Sequence, residues 1–138
     1  MTEQITPEYL SFATEHHASD IFIIAGRPLS FKINGKLSIY GERLMPADTE
    51  ILLRQIYQMS NNRNFDRFLE IGDDDFSFSI PGLSRFRVNT YRQRGSLAAV
   101  IRVIAFELPD PGILNIPEDV MSVSDFTKGM VLVTGPAG

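Results

Sequence analysis

The stretch "SRFRVNTYRQRGSLAAVIRV", residues 84 to 103, carries five arginines: Arg85, Arg87, Arg92, Arg94 and Arg102. A guanidinium is planar, permanently charged, and presents its N–H donors as a fork that fits carboxylate or phosphate oxygens. A second stretch, "VLVTGPAG" at 131–138, ends in Gly135, Pro136, Ala137 and Gly138. Glycines after an apolar run let successive backbone N–H groups turn inward on an anion. That is the first half of the phosphate-loop pattern G-x-x-x-x-G-K-[ST]. The lysine that would reach the phosphates and the hydroxyl that would hold magnesium are not among these residues. Taken alone, such a run is more often an ordinary turn than an anion cradle.

The elements around the arginines decide which of them can act together. A two-residue Arg94-Gly95 turn sets Gln93 opposite Ser96, and the rest of the register follows. Phe86 and Val88 then share an apolar face with Val103, Ile101 and Ala99. The other face carries Arg85, Arg87, Asn89 and Tyr91 beside Ile104, Arg102, Val100 and Ala98. Arg87 falls directly opposite Arg102, an unfavourable pairing of like charges. Something of opposite sign belongs nearby. Acids at Asp73, Asp74, Asp75 or Glu107 would meet that need, as would solvent; so would a polyphosphate. The charge pattern leaves these readings open.

Along the rest of the chain, Thr6-Pro7 reads as a hydroxyl N-cap with proline at the first helical position, opening a helix that fades near His17. "DIFIIA", from Asp20, is a short buried strand closed by Gly26-Arg27-Pro28. "LSFKINGKLSIY" is a hairpin. Alternation favours a three-residue loop, Ile33-Asn34-Gly35, with Phe31 opposite Leu37 and Leu29 opposite Ile39. Pro46 opens a helix with Ile51, Leu52, Ile56 and Met59 on one stripe. A second short helix points Phe65, Phe68 and Leu69 inward and stops at Gly72. Three strands follow, "DFSFSI", "SRFRVNTYRQ" and "SLAAVIRVIA". Next comes a proline-rich linker after Ala105, a short helix from Pro117 to about Phe126, and a last strand at 131–134. Helices and strands in the order αβββααβββ, without β/α alternation, predict an α+β fold with an antiparallel sheet flanked by helices.

Other clusters carry less chemistry. His16 and His17 are adjacent and diverge on a helix, with no third ligand near, so no metal site is expected. Asp73, Asp74 and Asp75 alternate faces at a strand start. Phe65, Phe68, Phe76, Phe78 and Phe86 have core spacing. No catalytic residue can be assigned.

With 138 residues, 43% apolar and 22% charged, the chain holds one ordinary domain and a fragment of a second. A net charge of −4 argues against a dedicated nucleic-acid module. The absence of cysteine rules out disulfides and thiolate metal sites. There is no secretory signal pattern and no apolar run of membrane-spanning length, so a cytoplasmic protein is expected.

Three stretches carry a family resemblance: "ASDIFIIAGRPLSFKINGKL" (18–37), "DFSFSIPGLSRFRVNTYRQRGSLAAVIRVI" (75–104) and "LPDPGILNIPEDVMSVSDFTKGMVLVTGPAG" (108–138). In this order they resemble the N-terminal portion of PilT-type pilus-retraction ATPases, within the type II and type IV secretion ATPases. The resemblance implies a PAS-like domain over residues 1–107. It also implies a linker, short helix and first strand of a RecA-like core over 108–138, with the chain ending inside the Walker A phosphate loop. It implies ATP and Mg2+ as cofactors of a full-length parent and none for this fragment, which lacks the Walker A lysine and the Walker B acid and is expected to be inactive alone. The partners implied are the chain's own RecA-like domain, a homo-hexamer of the parent, and an inner-membrane pilus platform protein. No nucleic acid is implied, and the protein would lie at the cytoplasmic side of the inner membrane. Arg87, Arg94 and Arg102 match arginines that reach nucleotide held by the core, and Gly135 to Gly138 match the start of the phosphate loop. Phe22 stands where relatives commonly carry a histidine. The alternative is a PAS-like ligand or protein-interaction module that never contacts nucleotide.

Overall fold

The computed structural model describes residues 7–135. The chain divides into two compact units, Met1–Phe106 and Glu107–Gly138.

The first unit is α+β. Helix α1 (Glu8–Glu15) is capped at Pro7, whose ψ of 134° keeps it just outside the helix. Proline thus precedes the first helical residue instead of occupying it; the expected Thr6 cap lies outside the described residues. Strands β1 (Asp20–Ile23), β2 (Pro28–Ile33) and β3 (Lys36–Arg43) form an antiparallel meander. Helices α2 (Pro46–Met59) and α3 (Phe65–Ile71) lead to a second meander of β4 (Asp73–Ile80), β5 (Ser84–Gln93) and β6 (Ser96–Ile104). Pairing of β1 with β6 joins the two into one six-stranded sheet, β3-β2-β1-β6-β5-β4. Asp48 fixes the start of α2 by accepting the Met45 N–H at 2.6 Å, and Asn64 starts α3 by accepting the Arg67 N–H at 3.0 Å.

The three helices cover a single face of this sheet. Leu10 and Ala13 of α1, Leu53, Ile56 and Tyr57 of α2, and Phe65 and Phe68 of α3 form one buried cluster with Ile21, Phe31, Phe86, Val88, Ala99 and Ile101. The α2 stripe agrees with the expected one at Ile56, which is buried, and at Leu52 and Met59, which are half-buried against the core, and differs at Ile51. Thr49, Leu53, Ile56 and Tyr57 are its buried residues, and Ile51 faces solvent. Both stripes satisfy helical spacing, but Tyr57 supplies the larger apolar surface and turns the helix toward itself.

The first hairpin also departs from expectation. Ile33 pairs with Lys36 and Phe31 with Ser38, so the loop is the two-residue Asn34-Gly35. Their φ values of 50° and 75° are those of a type I′ turn, whose twist matches the strands it joins. The expected register assumed that both strands bury the same face. β3 is exposed along its whole length, so Leu37 and Ile39 turn outward without a core to oppose the turn chemistry. The Arg94-Gly95 turn has the same form, φ 51° and 83°, and sets Gln93 opposite Ser96.

In the second unit, Asp110 Oδ1 accepts the N–H groups of Gly112 and Ile113 at 2.6 and 3.2 Å, which tightens a turn. Helix α4 (Glu118–Met121) then runs into a 3₁₀ turn, Ser122–Asp125. The strand expected at 131–134 is not formed. Val131, Leu132 and Val133 are exposed, and no strand among the described residues pairs with them. β-branched composition alone makes no strand, because the backbone ladder requires a neighbour.

Candidate functional site

The face of the sheet away from the helices carries the candidate site. Cross-strand register sets Lys32, Asp20, Arg102, Arg87 and Ser77 in one row over five strands. Arg87 and Arg102 are direct partners, and their side chains are 61% and 68% exposed. Each has a carboxylate. Arg87 donates through Nε and Nη2 to the two oxygens of Asp75, at 3.2 and 2.9 Å. Arg102 donates through Nε to Asp20 Oδ1 at 3.3 Å, while the other Asp20 oxygen accepts the Ser19 hydroxyl at 2.8 Å. The paired Arg87 holds the exposed Asp75 carboxyl below the ordinary carboxylate range, and Asp75 in turn raises Arg87. The two ion pairs, together with Asn89 and Val100, line a cavity of about 220 Å³.

A guanidinium has five N–H donors. The carboxylates take two from Arg87 and one from Arg102, so both keep donors directed to solvent. The arrangement can accept further oxyanion oxygens. Pockets that enclose a whole drug-sized ligand measure about 300–1,000 Å³. This cavity is smaller than that. Arg85 shares the face and makes only a 3.5 Å contact with the Ser77 hydroxyl.

The site residues named from the sequence do not all converge. Arg94 sits on the β5–β6 turn, seven residues beyond Arg87, roughly 23 Å along the strand at about 3.3 Å per residue. There it lines a separate cavity with Arg27, Gln93 and Ser96. Gly135 is exposed, and Pro136, Ala137 and Gly138 lie outside the described residues. Of the acids expected near the pair, Asp75 takes Arg87, while Asp74 turns to the other face and holds Arg63. Asp20 was missed because it reaches Arg102 through the β1–β6 pairing, across 82 residues of sequence. Its place at the head of a strand with outward parity was the available signal. Arg27 was missed too, since its turn meets the Arg94 turn only once the sheet closes.

No family model matches the chain. It is 35% identical over 131 residues to the type IV pilus retraction ATPase PilT of Pseudomonas aeruginosa, a match covering 95% of this chain and 38% of that protein. It is 30% identical over 130 residues to the type IV pilus ATPase PilU of the same organism, covering 94% of this chain and 33% of that one. Among solved structures, the pilus retraction motor PilT with bound ADP superposes with a TM-score of 0.70 at 36% identity, over 94% of this chain and 37% of the other. The chain therefore spans little more than a third of the length of these relatives. Sequence and backbone together make it homologous to the N-terminal region of secretion-type ATPases. Within that class it is homologous to the N-terminal region of the type IV pilus retraction ATPase PilT. No helix among the described residues is long and apolar enough to cross a membrane.

Proposed function

We propose that this chain is the N-terminal nucleotide-sensing and assembly domain of a hexameric ATPase motor that powers type IV pilus retraction. One observation carries this reading. Two cross-strand arginines with donors to spare stand on the sheet face opposite helices α1 to α3 of the same unit, in a chain homologous to pilus-retraction ATPases. Residues 1–107 form a PAS-like domain in this reading, and 108–138 lead into a RecA-like core that holds ATP and Mg2+. Arg87 and Arg102 present N–H donors to phosphate oxygens bound by that core, with Arg94 and the Gly135–Gly138 stretch as further contacts. The motor works on the cytoplasmic side of the inner membrane, against a pilus platform protein.

The test replaces the matching third of the Pseudomonas aeruginosa relative with this chain and measures ATP turnover. Removing a preorganised donor from developing phosphate charge costs on the order of 10²-fold in rate. Arg87→Ala/Arg102→Ala in the chimera is expected to lower kcat by at least about tenfold. Unchanged turnover and nucleotide affinity would leave the second reading, a PAS-like ligand or protein-interaction module. The observation that favours it is that both arginines already have carboxylate partners without nucleotide.

A further inference from the structure

We infer that Asp20 and Asp75 are intramolecular competitors for the arginine pair, each occupying the seat that a phosphate takes and releasing it when the phosphate arrives. This rests on the nucleotide-sensing reading above and adds its regulation. Asp75 meets Arg87 side-on, with one oxygen on Nε and the other on Nη2. That fork is the geometry in which a guanidinium grips a phosphate, so carboxylate and phosphate cannot hold these two N–H groups together. Asp20 takes only the Nε of Arg102, by one oxygen at 3.3 Å, and so occupies half of the equivalent fork.

The two pairs are also built to exchange. Arg87 and Asp75 are 61% and 49% exposed, so water screens that contact and competes for it; Asp20 is 13% exposed, but it holds the 68% exposed Arg102 through one N–H only, at 3.3 Å. The Arg63–Asp74 pair of the same unit is the contrasting case. Asp74 accepts two N–H groups of Arg63 at 2.7 and 2.8 Å and the buried Tyr57 hydroxyl at 3.0 Å, more and shorter bonds than either outer-face aspartate receives from its arginine. A carboxylate so held stays in place. On the outer face the aspartates do two things: without phosphate they separate two like charges that the register forces together, and with it they set a threshold. Weak anions fail to displace them, whereas a polyphosphate bridging both arginines replaces the three hydrogen bonds it breaks and can also take the N–H donors that the carboxylates leave unused.

The probe is inorganic tripolyphosphate, titrated calorimetrically into the 138-residue chain at fixed ionic strength. Asp20→Asn/Asp75→Asn is expected to bind about tenfold more tightly than the parent chain, the gain expected from removing two competing ion pairs with solvent-exposed arginines. In an Arg87→Ala/Arg102→Ala background the same replacements should add nothing, which separates competition from the change in net charge. Asp75→Asn alone, at a half-exposed position, should give about threefold and stands in if the double variant melts. Equal or weaker binding by the Asn variants, in a chain whose binding needs the arginines, overturns the competition and leaves the nucleotide reading standing. Equal binding with and without the two arginines overturns both.

Discussion

At the scale of single residues, Asp74 decides how three elements meet. Arg63 donates to it through Nε and Nη2 at 2.7 and 2.8 Å, and the Tyr57 hydroxyl donates at 3.0 Å. Thr90 shares the Tyr57 hydroxyl at 2.9 Å, and burial pushes that phenol's pKa up. The Arg63 hydrogen bonds hold the Asp74 carboxyl below the ordinary carboxylate range. A depressed folded value means that the unfolded chain binds the proton first. The stabilisation is therefore complete above the unfolded pKa of about 3.9 and fades as pH falls through the folded value below it. Arg63 is 42% exposed, which brings the contribution below that of a fully buried pair. Asp74→Asn should cost about 1–2 kcal/mol at pH 7, and the gap to the parent should close below about pH 4. Urea unfolding at both pH values measures it; a gap that is constant with pH would rule the ionised carboxylate out as its source.

At the scale of elements, turn chemistry sets the sheet and can be tuned. Arg94 occupies a left-handed position, φ 51°, where Asn is a better residue than Arg. Arg94→Asn should raise stability by about 0.5 kcal/mol in thermal or urea unfolding. A loss instead would give the Arg94 side chain a structural contact of its own. The two hairpins show what the sequence makes legible. The β5–β6 register followed from Arg94-Gly95 because Phe86, Val88, Ile101 and Val103 alternate against one core. The β2–β3 register did not, because Leu37 and Ile39 lie on an exposed edge where apolar alternation reports no burial. Hence Arg87 opposite Arg102 could be read in advance. The Asp20 partner could not, since it depends on β1 docking beside β6, and no local pattern encodes that pairing. The run at 131–134 failed in the same way, having strand composition and no neighbour.

At the scale of the whole first unit, the sheet has two faces with different obligations. The helix-covered face supplies the stability, and Ile101, fully buried at its centre, meets α2 and the strands around it. The outer face carries the charged row and, toward the edge, Phe22, Ile24 and Leu37 around an apolar cavity bounded by Arg27 and Pro28, with Ile39 exposed on the same edge strand. A face that contributes little to folding is free to carry paired arginines, whose mutual repulsion would be costly in a core. The difference can be measured with one substitution on each face. Ile101→Ala leaves a cavity and should cost about 2–5 kcal/mol. Ile39→Lys, at a position 69% exposed, should change stability by less than about 0.5 kcal/mol. Had Ile39 faced Leu29 over the core, the lysine would have buried a charge and unfolded the unit. A loss of about 2 kcal/mol or more from Ile39→Lys, growing with protein concentration, would instead mean that the β3 edge is covered by association in solution, and the separation of folding face from working face would not hold.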